Sequence, residues 1–110
     1  MEGVQRMSKE KFFYLDESSV FKGKLHIRLN HSNFLFPNGT EGSYAVIVAR
    51  VLNLSYPDYL RYCRDRLGAK LIGKHTMYVV PYFDDTPEVQ LFIKLLNRRL
   101  EYVMNLFENL

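Results

Sequence analysis

Tryptophan is absent from this 110-residue chain, and cysteine occurs once, at Cys63. A single thiol excludes an internal disulfide framework, so an apolar core has to hold the fold. Long hydrophobic runs are missing too. The longest, Tyr44 to Ala49, falls far below the roughly 18 to 20 apolar residues of a membrane-spanning helix. Met1 to Lys11 mixes Glu2, Arg6, Lys9, Glu10 and Lys11 with no apolar stretch, which does not read as a secretory signal. The expected compartment is therefore a reducing cytosol. Two glycosylation-type triplets, Asn38-Gly39-Thr40 and Asn53-Leu54-Ser55, require a secretory route and are read as chance. Repeats and low-complexity tracts are also absent.

What remains is the composition of a folded domain. Apolar residues make up 47% and charged residues 25%, and eight Tyr and eight Phe raise the aromatic share. That balance can bury enough surface to fold, and the length suits one domain spanning residues 1–110.

Lys24 to Leu29 alternates strictly, with Leu25, Ile27 and Leu29 on one face and Lys24, His26 and Arg28 on the other. This predicts a half-buried strand. With the apolar run Phe12 to Leu15 it forms an N-terminal hairpin closed through Lys22-Gly23, and Phe34 to Phe36 can add a third extended piece. Pro37 to Gly42 reads as a turn, because Asn38-Gly39 supplies positive φ readily. Ser43 to Leu54 has two readings. Its β-branched residues suit a central strand pairing with Leu25 to Leu29, whereas its length and the cap-type Ser43 suit a buried helix, which is the expectation adopted.

Ser55-Tyr56-Pro57-Asp58 is a helix start, with Ser55 as N-cap, Pro57 in the first turn and Asp58 at the positive helix end. The helix is expected to reach Leu67 and to end at Gly68. Ala69 to Ile72 and Met77 to Tyr82 then read as a second hairpin, with Pro81 confined to an edge. Asp84 to Glu88 opens a long final helix. Along it Val89, Phe92, Leu95, Leu96, Val103, Leu106 and Leu110 fall near helical spacing. The predicted fold is thus α+β: an N-terminal hairpin, a helix-turn-helix-like pair, a wing-like second hairpin and a long C-terminal helix.

Charge is concentrated rather than large. Between Ser55 and Tyr82 there are five cations (Arg61, Arg64, Arg66, Lys70, Lys74) against two anions (Asp58, Asp65), so this stretch carries the whole net charge of +3. Ala49, Leu52 and Leu54, then Ser55, Tyr59 and Tyr62, have the spacing two helices need to cross at a short turn. In such a pair the second helix reads bases. Arg61 matches the two acceptors of guanine. Tyr56 and Arg64 share its outward side, Ser55 reaches a phosphate from the helix start, and Lys70, Lys74 and His75 can neutralise phosphates from the wing. Asp58 and Asp65 on the same face, and Asn53 where Gly is usual, are departures from that pattern.

The order helix, turn, basic helix, Gly68-Ala69-Lys70-Leu71-Ile72-Gly73-Lys74 and Tyr78-Val79-Val80-Pro81 resembles the winged helix-turn-helix modules of excisionase-like phage regulators over residues 44–82. The stretch also looks like small phage or prophage accessory proteins. The resemblance implies that Ser55 to Leu67 is a recognition helix and Lys74-His75 a wing tip. It also implies a bacterial host cytoplasm and a non-enzymatic regulator. The expected partner is double-stranded DNA, or alternatively a host protein such as a nucleic-acid enzyme, bound through the same basic surface.

No catalytic constellation is visible and no cofactor is expected. His26, His31 and His75 lack metal-ligand spacing, Cys63 falls on the core side of its helix, and Asp84-Asp85 suits a helix start. A third reading is a homodimeric structural protein. In it Phe92, Leu96, Val103, Leu106 and Phe107 of the last helix meet a second copy.

Overall fold

The computed structural model describes residues 12–30, 39–73 and 79–108. In chain order these form β1 (Phe13–Glu17), β2 (Leu25–Leu29), α1 (Glu41–Val51), α2 (Tyr56–Leu67), β3 (Lys70–Gly73), β4 (Val79–Tyr82) and α3 (Pro87–Glu108). The α+β layout of two antiparallel hairpins and three helices is the one expected from the sequence. Phe34 to Phe36, Lys74, His75 and His31 lie outside the described residues.

β1 and β2 pair in register from Phe13 opposite Leu29 to Glu17 opposite Leu25. Gly23, at φ 83°, supplies the left-handed residue of their connection. β3 and β4 pair from Lys70 opposite Tyr82 to Gly73 opposite Val79. Pro81 is tolerated because, among the described residues, each of these sheets has two strands and so every strand is an edge. The two hairpins are joined by a bridge in which Leu25 and Phe83 exchange backbone hydrogen bonds of 2.8 Å in both directions.

The stretch with two readings is helical. α1 starts earlier than the sequence suggests, because Thr40, in extended conformation, is its N-cap, and Ser43 completes a reciprocal capping box at the third helical position. The Thr40 hydroxyl accepts from the Ser43 N–H at 3.2 Å, and the Ser43 hydroxyl accepts from the Thr40 N–H at 2.8 Å. Tyr44, Ala45, Val48 and Ala49 turn into the core. Asn53, at φ 58°, makes the bend into α2, the conformation Asn tolerates better than most residues. Ser55 caps α2 by accepting from the Asp58 N–H, and Gly68 ends it at φ 68°.

α3 lies across β1 with Val89, Phe92, Ile93 and Leu96 buried. Thr86 caps it, accepting from the Val89 N–H at 3.2 Å. One core unites both hairpins with all three helices, and its fully buried side chains include Phe13, Val48, Tyr59, Cys63, Phe83, Val89 and Leu96. No helix among the described residues is long and apolar enough to cross a membrane.

Candidate functional site

The expected reading face on α2 is present in outline but its cations are engaged. Arg61 donates to Asp58, one turn earlier on the same helix. Arg64 forms a two-pronged pair with Asp65, Nε to Oδ1 at 2.8 Å and Nη2 to Oδ2 at 3.2 Å, which holds the Asp65 carboxyl below its ordinary range. Tyr56 does not point outward as expected. It is half-buried, and its hydroxyl donates to the Val79 carbonyl of β4. Ser55 is spent on its capping role, and Lys70 is exposed at the start of β3. Exposed ion pairs of this kind add little to stability, because water and salt screen them. Even so, two carboxylates sit within the face that a phosphate backbone would approach.

The expected dimer face on α3 is also redistributed. Phe92 and Leu96 belong to the core, so they are unavailable to a second copy, and Val103 is half-buried. The outward side instead carries Leu91, Leu95, Tyr102 and Leu106, each at least half exposed. Their spacing of four, seven and four residues keeps them on one face, with Arg98 completing the row. Lys94 flanks the row. Neither Lys94 nor Arg98 forms an ion pair among the described residues. Beyond the half-buried Val103 and Met104, residues 105–108 are all exposed, and Phe107 reaches 70% exposure although its phase points toward the body. Tyr62 of α2 extends the apolar area sideways, its ring centroid 5.8 Å from that of Phe92.

A third feature has no signal in the sequence. A cleft of about 550 Å³ opens between the first hairpin, the start of α1 and the second hairpin. His26, predicted to face solvent, is only 5% exposed, because the start of α1 covers the outer face of β2. Its Nε2 lies 3.4 Å from Oε2 of Glu41, whose Oε1 accepts from the Tyr82 hydroxyl at 2.5 Å. Burial lowers the His26 pKa below its ordinary value, with the Glu41 carboxylate opposing the shift. Burial first, and the bond to Glu41 second, push the Tyr82 phenol well up. Arg28 sits 3.4 Å from Asp16 and 5.8 Å from the Tyr44 ring. Cys63, fully buried, has its thiol pushed up to about 12 by burial and is inert as a nucleophile. Among the described residues no group of His, Cys, Asp and Glu is placed to hold a metal ion.

Comparison with protein-family models, curated proteins and solved structures found no match.

Proposed function

We propose that this chain is a non-enzymatic binding protein that docks an acidic amphipathic segment of another protein on the outward face of α3. The observation that carries this reading is the row Leu91, Leu95, Arg98, Tyr102 and Leu106, four large apolar side chains at 50% to 63% exposure interrupted by one cation that forms no ion pair among the described residues. Contiguous exposed apolar surface is what soluble domains avoid unless something covers it. A partner helix laid along such a row supplies apolar side chains at matching intervals and an acidic one opposite Arg98 and Lys94.

A second copy of the chain fits less well. An antiparallel two-fold arrangement that sets Leu91 against Leu106 and Leu95 against Tyr102 brings the two copies of Arg98 together beside the axis, a like-charge contact, while Arg99 turns back to the Val51 carbonyl. Duplex DNA is disfavoured by the carboxylates that already occupy Arg61 and Arg64. The phage-type accessory role expected as the alternative to DNA binding is compatible with this docking mode.

The test is titration of the isotopically labelled protein with a synthetic helical peptide of Leu and Glu at heptad spacing. A Lys-for-Glu version and a mixed-sequence DNA duplex serve as comparisons. Amide shifts confined to residues 91–106, abolished by Leu95→Glu with Tyr102→Glu, support the reading. No response to the acidic peptide, equal response to the basic one, salt-sensitive duplex binding through α2, or concentration-dependent dimerisation through α3 overturns it.

A further inference from the structure

We propose that the cleft between the two hairpins binds an organic cation, a primary ammonium carried on an apolar stem. Among the described residues its lining sets three carboxylates, Asp16, Glu17 and Glu41, against one guanidinium, Arg28. That is a formal charge of −2 in a chain whose net charge is +3. Val20, Ile72 and Val80 line the same space, and its volume of about 550 Å³ lies in the range of small-molecule sites.

Two of these carboxylates have no counter-charge. Arg28, 3.4 Å from Asp16, compensates that residue. Glu41, whose side chain is only 16% exposed, meets the Tyr82 hydroxyl and, at 3.4 Å, His26 Nε2. Neither neighbour brings positive charge, because burial lowers the His26 pKa and leaves the ring neutral at pH 7. Glu17, exposed at the end of β1, forms no ion pair among the described residues. A carboxylate largely withdrawn from water and met by neutral donors alone gains strongly from a cation, since the attraction is weakly screened there. Each Glu41 oxygen keeps a lone pair beyond its present contact, so an ammonium can be accepted without displacing Tyr82 or His26. A metal ion matches less well, because among the described residues no group of His, Cys, Asp and Glu is placed to hold one. An ammonium needs only separate single acceptors for its three N–H groups, and its stem is covered by the apolar side chains of the cleft.

The inference is independent of docking on α3, and its test does not involve the exposed row there. Butylammonium is titrated into the labelled full chain at constant ionic strength while the His26 ring and the amides of residues 16–20 and 39–44 are followed. Butanol, which has the same stem without the charge, and butyrate, which reverses it, serve as comparisons. The expected result is a saturable shift with butylammonium alone, weakened about threefold by Glu17→Gln and about tenfold by Glu41→Gln, which keeps an oxygen for the Tyr82 hydroxyl. Glu88→Gln, at an exposed carboxylate that lines no part of the cleft, should leave the affinity unchanged. Retained amide dispersion confirms that each variant folds, and Glu17, being exposed, keeps the test available if Glu41→Gln does not. Spermidine and the amide of Nα-acetyl-lysine then separate the two sources of this group, a free polyamine and a lysine side chain, the tighter binder at the same signals identifying which. Absence of a saturable shift with butylammonium, equal binding of butanol or butyrate, a loss with Glu88→Gln as large as with Glu17→Gln, or failure of both spermidine and the lysine amide to bind overturns the proposal.

Discussion

Asn97 on α3 closes a two-way hydrogen-bonded ring with Phe13 of β1. The Phe13 N–H donates to Asn97 Oδ1 at 2.6 Å, and Asn97 Nδ2 donates to the Phe13 carbonyl at 2.9 Å. The side-chain amide thus acts as one more strand residue, satisfying the edge of β1 where, among the described residues, no third strand pairs with it. A second bond from Nδ2 to the Ile93 carbonyl, 3.0 Å, holds the amide in place. This contact joins the long helix to the N-terminal hairpin across 84 residues of sequence.

Asn97→Ala should therefore destabilise the fold far more than a surface change in a helix. Two buried backbone groups lose their partners, each at a cost of about 1 to 3 kcal/mol. The expected outcome in urea unfolding is a lower midpoint with an unchanged slope, since the surface exposed on unfolding stays the same. A loss below about 0.5 kcal/mol, the range of ordinary surface substitutions, would contradict the role given to this amide.

Neighbouring leucines on α3 should respond oppositely to truncation. Leu96 is 1% exposed and Leu95 is 50% exposed. Leu96→Ala opens a cavity and is expected to cost about 2 to 5 kcal/mol, whereas Leu95→Ala should stay within about 0.5 kcal/mol. Thermal or urea unfolding of the pair reads both values. Comparable losses at the two positions would mean that α3 is rotated relative to the arrangement described, and would remove the exposed row on which docking depends.

How far the sequence revealed this architecture depends on whether the deciding interaction is local. The alternation at Lys24 to Leu29, the left-handed stop at Gly68 and the Ser55 cap are set within a few residues, and each is found where the pattern placed it. The pairing of Arg61 with Asp58 is equally local, because three-residue spacing on a helix brings the two side chains together. Leu95 and Leu96 show the opposite case. Adjacent apolar residues differ by about 100° on a helix, so composition gives no reason to prefer one for the core. The choice is made by how α3 meets β1, which Asn97 helps to fix. His26 departs from its strand pattern for a related reason. Strand alternation assigns it to an outer face, but α1, later in the sequence, packs against β2 and turns that face inward. Nothing near His26 in sequence signals Glu41 or Tyr82 as its surroundings.

Burial of His26 makes stability depend on pH in a defined direction. The ring faces Glu41, Asp16 and Arg28, and desolvation lowers its folded pKa below the unfolded value of about 6.5 despite the opposing carboxylates. Between these two pKa values the unfolded chain binds a proton that the folded chain refuses. Stability therefore rises with pH through this window and is lost on acidification below about pH 6.5. The predicted observation is a falling urea midpoint from about pH 7.5 to about pH 5.5, a range above the ordinary titration of exposed carboxylates. His26→Gln, which cannot titrate, should flatten that slope even if the variant is less stable at every pH. A midpoint that falls equally steeply in the variant would assign the dependence to another group and leave the buried ring without a part in it.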